Sequence, residues 1–263
     1  MSVNGRYDFG LSLIREAGEV ALGYFNARDQ LTVMNKGPQD LASEADLNTE
    51  LLIRERTAKA YPQDAFLGEE TEPTAYAPGQ GIWVVDPIDG TQPFCLGLTS
   101  WCVSIGFMQD GVIQFGFVFA PARDELFAGG CRFPSTLNGK PIHVAAAASI
   151  REGLTCTGYS PKSGPSLFLP AFERFLAAGG MFHREGSGAL GLCYVAAGRL
   201  VGFFEPVIKS WDALGAIAVC EGAGALVSDF LANDGLLKGN SLIAAAPGAY
   251  AELTELVRGP VAP

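Results

Sequence analysis

Apolar residues recur along this chain in two rhythms. Over residues 7–27 (YDFGLSLIREAGEVALGYFNA), Leu13, Ala17, Val20, Ala21 and Tyr24 fall on one stripe at helical spacing. The polar stretch NKGPQD (35–40) breaks that pattern. A second helix then reads from about Ser43 to Lys59, with Leu47, Leu51, Arg54 and Ala58 on one face. From Gly81 to Asp86 the chain writes a short apolar strand. A strand-rich block follows: WCVSIGFM, a QDG turn, VIQFGFVFA, a PARDE turn and LFAGG. Turn signals between such runs predict an antiparallel meander.

The second half alternates. GLTCTGYS (153–160) reads as a strand and SLFLPAFERFLAAG (166–179) as a helix, with Pro170 in its first turn or at its start. GSGALGLCYVAAG (186–198) reads as a helix, LVGFFEP (200–206) as a strand and WDALGAIAVCEG (211–222) as a helix. ALVSD and SLIAAA are strand-like, and PGAYAELTELVRG is a closing helix. The pattern predicts an α/β fold of sheets layered with helices, in one unit spanning 1–263. Its sub-regions are about 1–135 and 136–263, and no internal repeat or flexible tether divides them.

Composition narrows the function. Nearly half of the 263 residues are apolar, so there is ample material for a core. Lys and Arg total 18 against 28 Asp and Glu, a net charge of −10. That balance argues against nucleic acid as the main partner, although bound cations can reverse the local sign for a phosphate. The six scattered cysteines form no CxxC pair and read as reduced core residues. The N-terminus MSVNGRYDFG lacks a basic region followed by an apolar one, and no apolar run reaches ~18 residues. A soluble, cytoplasmic protein without a membrane partner is the expectation.

Candidate chemistry lies in the acids. WVVDPIDGT (83–91) ends an apolar strand with Asp86 and Asp89 three residues apart, stiffened by Pro87 and relaxed by Gly90. The stretch is either an Asx-type turn or a clamp for a hard divalent cation, since paired carboxylates repel unless a cation sits between them. LGEE (67–70) brings Glu69 and Glu70 after a short apolar run that could neighbour the Asp86 strand. Asp46 completes an S-x-x-D capping box or adds a further acid. Asp212, at the start of a markedly apolar helix, is an N-cap or a ligand reaching across. Thr91 caps a short turn or binds an anion through its backbone, and Gly186-Ser187-Gly188 relieves crowding or admits a ligand. His143 and His183 have no partner at metal-ligand spacing. Lys36, His183 and Arg184 read as solvated or structural, although Lys36 near the acids could assist phosphate entry.

Taken together, KGPQDLASEAD (36–46), LGEE (67–70), WVVDPIDGT (83–91), EGSGAL (185–190) and FFEPVIKSWDALGA (203–216) occur in the order found in the inositol monophosphatase family. The chain resembles that family from about residue 8 to its C-terminus. The resemblance implies a magnesium-dependent, commonly lithium-sensitive phosphatase with a layered αβαβα fold, usually a homodimer. It implies an antiparallel meander sheet in the first half and a smaller mixed sheet in the second. By the same resemblance, Glu69, Asp86, the carbonyl of Ile88, Asp89 and Asp212 would hold two to three Mg²⁺ ions, with Glu70 helping a further ion or water. Asp46 with Thr91 would position the attacking water, and the backbone around Gly90 and Thr91 would hold the phosphate. Ser187 and Gly188 would meet the substrate alcohol, and Glu205 would hydrogen-bond a substrate hydroxyl.

Two positions depart from the family pattern. Thr91-Gln92-Pro93-Phe94 stands where a Thr-Thr-Asn-Phe run is common, so Pro93 removes a backbone donor beside the phosphate. Val201 stands where many relatives carry Asp. Both bear on the leaving alcohol. The expected substrate is a small phosphate monoester, inositol monophosphate by default. Fructose-1,6-bisphosphatase, 3′(2′),5′-bisphosphate nucleotidase and histidinol phosphatase are the alternatives within the same chemistry. For a sugar bisphosphate, Lys162, Arg184 and Lys209 are the candidate cations. A non-catalytic interaction protein and a cation-binding domain without turnover are the alternatives outside it.

Overall fold

The computed structural model describes residues 2–30, 33–37, 40–77, 79–160 and 164–259, without the side chains of 30, 33–37 and 40–42. Lys162 and the Lys36 side chain lie outside that description. Helix α1 (Val3–Asn26) starts on Ser2, whose side chain accepts from the Gly5 amide. It buries Leu13, Ile14, Ala17, Ala21 and Phe25, while Val20 and Tyr24 sit half-buried at the edge of the stripe. A hairpin of β1 (Val33–Gly37) and β2 (Asp40–Ser43) leads into α2 (Glu44–Ala60). The face read from the leucines does not turn inward: Leu47 is 36% and Leu51 45% exposed. Helix α2 buries Ala45, Asp46, Thr49, Glu50, Ile53 and Thr57 instead, because its polar residues are held by loops of the sheet beneath.

The first sheet follows, built from β3 (Ala65–Gly68), β4 (Gly81–Asp89), β5 (Cys102–Gln109), β6 (Val112–Ala120), β7 (Glu125–Gly130), β8 (Phe133–Leu137) and β9 (Lys140–Pro141). The short helix α3 (Thr91–Cys95) interrupts it after β4. The seven strands pair in chain order, parallel between β3 and β4 and antiparallel from there on. The Asp110-Gly111 turn between β5 and β6 has positive φ at both residues, which the hairpin twist requires.

The remaining elements are β10 (Leu154–Thr157), α4 (Pro165–Ala177), β11 (Met181–His183), α5 (Gly188–Ala196), β12 (Gly202–Ile208), α6 (Ser210–Gly222), β13 (Leu226–Val227), α7 (Gly235–Lys238), β14 (Asn240–Ala245) and α8 (Pro247–Arg258). Pro165 opens α4, so Pro170 lies inside the helix rather than in its first turn. The second sheet runs β11-β10-β12-β14-β13, parallel among its first three strands and antiparallel beyond.

Three cores hold five layers together. One lies between α1, α2 and the outer face of the first sheet, with Trp83, Phe107, Phe115 and Phe117 in its ring cluster. The second joins both sheets through α5 and α6. The third lies between the small sheet and α4 with α8. The αβαβα layering expected from the resemblance is therefore present. Helix α6 sits unusually close to the first sheet, because a Cβ on Gly116 would lie 2.1 Å from the Gly215 carbonyl oxygen. That close approach brings the N-terminus of α6 down onto the ends of β4 and β5. No helix among the described residues is long and apolar enough to cross a membrane.

Candidate active site

Strand β4 alternates Ile82 and Val84 toward α6 with Trp83 and Val85 toward α1 and α2, so both of its faces are buried. Its end is bulged. Asp86 faces Ser104 and Asp89 faces Cys102, so three steps on β4 match two on β5. One extra residue reverses the alternation. Asp86 and Asp89, which an unbroken strand would send to opposite faces, both point toward α5 and α6. Pro87 fits inside the bulge, where no ladder donor is needed.

The turn reading of this stretch is what the backbone shows. The Ile88 amide donates to Asp86 Oδ1 at 2.9 Å, which is an Asx turn. Gly90 follows in the left-handed region at φ 93, where a side chain would also meet the Ser100 carbonyl at 2.6 Å. Thr91 then opens α3. Pro93 takes the third position of that helix, where the N–H has no partner within the helix anyway, and α3 forms with the Phe94 amide donating to Gly90 O at 3.0 Å.

Parallel pairing of β3 with β4 sets Gly68 beside Val85, so Glu69 emerges next to Asp86. Asp212 is not the N-cap of α6. Lys209 holds that position, and its amide donates to Asp212 Oδ2 at 3.3 Å. Glu69, Asp86 and Asp212 each offer a carboxylate oxygen, all within 4.8 Å of one another. Burial and then the charges of Glu69, Asp212 and Asp89 push the Asp86 carboxyl well above its usual range. Asp89 stands beside this trio at the N-terminus of α5. Its Oδ2 accepts from Ser187 Oγ at 2.5 Å and from the Ala189 amide at 2.7 Å. Burial and Asp212 raise its pKa to about 7 against those donors. An all-carboxylate, partly buried donor set fits a hard divalent cation, whose charge would offset the mutual repulsion.

Asp46 forms the capping box of α2 and still reaches the site. Its Oδ2 accepts from Ser43 N at 2.8 Å and Ser43 Oγ at 2.6 Å, and its Oδ1 accepts from Thr91 Oγ at 3.2 Å. The Thr91 hydroxyl also lies 3.1 Å from the Ile88 carbonyl oxygen. Burial raises the Asp46 pKa against its Ser43 donors, and the charge of Glu70 adds to the rise.

A cleft of about 470 Å³ opens beside Asp89 and Asp212, with Tyr159, Arg184, Gly188 and Glu205 on its far wall. Burial, then Asp212 and Asp89, push Glu205 up to about 8, while Arg184 opposes the shift. Ser187 lines the cleft, but its hydroxyl donates to Asp89 and accepts from the Leu190 amide at 3.1 Å. Val201 lies away from the cleft, buried between Leu154 O and the Ala246 amide. Lys209 turns its amine to the Lys238 carbonyl at 3.1 Å. His183 binds Glu185 at 2.7 Å.

Two residues carry more than their sequence context indicated. Arg184, read as solvated or structural and otherwise as a cation for a second phosphate, lines the cleft and acts on Glu205. Glu50, not singled out at all, accepts from the Glu70 and Thr71 amides, both at 2.8 Å. The signal available for Glu50 was its place four residues after Asp46, on the same helical face.

The sequence model of the inositol monophosphatase family matches residues 5–259. An inositol-1-monophosphatase of Rhizobium meliloti is 31% identical over 98% of this chain and 95% of that protein. A putative Nus factor SuhB of Neisseria meningitidis is 30% identical over 92% of this chain and 94% of that protein. The crystal structure of the extragenic suppressor protein suhB from Bartonella henselae superposes with a TM-score of 0.88 at 28% identity, covering 97% of this chain and 98% of that one.

Proposed function

Because the chain belongs to the inositol monophosphatase family, we propose that it hydrolyses a small phosphate monoester with Mg²⁺, inositol monophosphate first among the substrates. The convergence of the Glu69, Asp86 and Asp212 oxygens beside the Asp46–Thr91 pair carries this reading. Glu69, Asp86, the Ile88 carbonyl, Asp89 and Asp212 would hold two to three ions. When bound, the ions supply positive charge at the phosphate and make a water beside it easier to ionise.

The chain's own groups have distinct tasks in this proposal. Thr91 Oγ orients the attacking water, and Asp46, already tuned toward protonation by burial, takes up its proton. Glu70 supports a further ion or water near Asp46. The backbone at Gly90 and Thr91 holds the phosphate at the start of α3. Gly188 and the backbone of Ser187 border the leaving alcohol, since the Ser187 hydroxyl is engaged with Asp89. Glu205 hydrogen-bonds a substrate hydroxyl. Arg184 is the one cationic side chain lining the cleft among the described residues, and this favours a monophosphate over a bisphosphate. A homodimer is part of the proposal. Outer strand β11 carries Met181 and Phe182, both more than half exposed, as apolar material for a contact.

Phosphate release would be measured from inositol 1-phosphate, fructose 1,6-bisphosphate, adenosine 3′,5′-bisphosphate and histidinol phosphate, with and without Mg²⁺, with Asp89→Asn as control. Magnesium-dependent release from inositol 1-phosphate, lost in the variant, is expected. Absence of release from all four with metal bound would favour a non-catalytic interaction role, the direction to which the Neisseria relative's name points.

A further inference from the structure

Glu50 lies one helical turn beyond Asp46 on the buried face of α2, and its side chain is fully enclosed. Its oxygens face two consecutive backbone amides: Oε2 accepts from Glu70 N and Oε1 from Thr71 N, each at 2.8 Å. Gly68, the last residue of β3, makes room for it, since a Cβ there would lie 2.4 Å from the Glu50 carboxyl carbon. Hydrogen bonds from N–H groups to a buried carboxylate are among the strong ones. The segment gripped in this way begins directly after Glu69. The same helix holds the other loop of the site, because Asp46 accepts from Thr91 beyond β4. One helix therefore grips both acid-bearing strand ends with two carboxylates a turn apart.

We propose that Glu50 is a positioning residue that preforms the cation site by fixing the backbone of Glu69–Thr71, so that Glu69 meets Asp86 and Asp212 before an ion arrives. This rests on the reading that those acids hold divalent cations. A carboxylate is needed for the task, because glutamine of the same shape turns an NH₂ group toward one of the two amides and leaves donor facing donor.

The test uses the full chain with Glu50→Gln, and its folding is checked by thermal melting. Mn²⁺ affinity is read by calorimetry without substrate, amide exchange is read at Glu70 and Thr71, and Mg²⁺ half-saturation is compared with kcat for phosphate release. Mn²⁺ binding about 10- to 100-fold weaker is expected. Faster exchange at the two amides and a loss concentrated in Mg²⁺ half-saturation rather than in kcat should accompany it. Unchanged Mn²⁺ affinity in the folded variant overturns the inference. So does a lower kcat that saturating Mg²⁺ does not restore, with affinity intact. If Glu50→Gln does not fold, Gly68→Ala displaces the Glu50 carboxylate and must weaken Mn²⁺ binding in the same direction. Wild-type protein that binds no Mn²⁺ contradicts the cation reading itself. Wild-type and variant proteins that bind equally contradict only the role of Glu50.

Discussion

Two groups of buried and half-buried acids flank α5, and the fold treats them differently. On one side, carboxylate faces carboxylate: Asp86 lies among Glu69, Asp212 and Asp89, and each of them pushes its pKa upward. On the other, carboxylate faces guanidinium. Glu185 pairs with Arg123 at 2.6 Å and with His183 at 2.7 Å, while Glu125 pairs with Arg199 at 2.5 Å. Tyr194 joins the two pairs, accepting from Arg123 and donating to Glu125. The second group settles its charge within the protein and reads as structure. In the first, strand ends and a helix N-terminus press like charges together, an arrangement that costs stability unless a cation offsets it. Buried acids therefore indicate a site by what they face, not by their number.

The comparison can be broken most severely at the first group. Asp89→Asn should reduce phosphate release by ~10³-fold, a loss of about 4 kcal/mol of charge stabilisation. A rate within tenfold of wild type would remove Asp89 from the proposed ion site. In the second group, Arg123→Met leaves Glu185 buried with a poorer partner. Urea unfolding should show a loss of about 3 kcal/mol that Mg²⁺ does not restore. Recovery with Mg²⁺ would mean that the two groups are one. Thr91→Val sharpens the distinction between chemistry and binding: activity should fall by about 10²-fold or more while calorimetric Mg²⁺ affinity stays near wild type.

A further test is stability against pH. Asp89 at about 7 and Glu205 at about 8 lie above the ordinary carboxylate range when folded. The native state therefore holds more protons than the unfolded chain between about pH 4 and those values. Their contribution is complete at low pH and is lost as pH rises through 7 and 8. The melting temperature of ion-free protein should fall across that window, and Mg²⁺ should flatten the fall. A midpoint that rises with pH would refute the like-charge description.

Much of this was legible in the chain. The meander could be read because its strands are apolar on both faces and its turns use Asp-Gly and Pro. The acids could be found because Asp-Pro-Ile-Asp-Gly-Thr ends a strand with nowhere apolar to go. The inward face of α2 could not be read. A periodicity argument sends Leu47 and Leu51 to the core, whereas the helix uses its buried face to grip two loops with Asp46 and Glu50. That Asp86 and Asp89 converge was legible as a possible clamp, but the means was not, because it is a register shift against β5 that no local pattern records. Strand β11 is only three residues long, so alternation gave no signal for it. Arg184 gained its place only when β11 brought it beside Glu205.

The most direct measurement is a calorimetric Mg²⁺ titration of wild type and Asp86→Asn at neutral pH, repeated in buffers of different ionisation heat. Saturable binding with proton release is predicted for wild type, because acids held above their usual range must shed protons to become ligands. Binding to Asp86→Asn should be at least ~10-fold weaker. No saturable heat in wild type, or equal affinity in the two proteins, would contradict the claim that this acid cluster exists to hold cations.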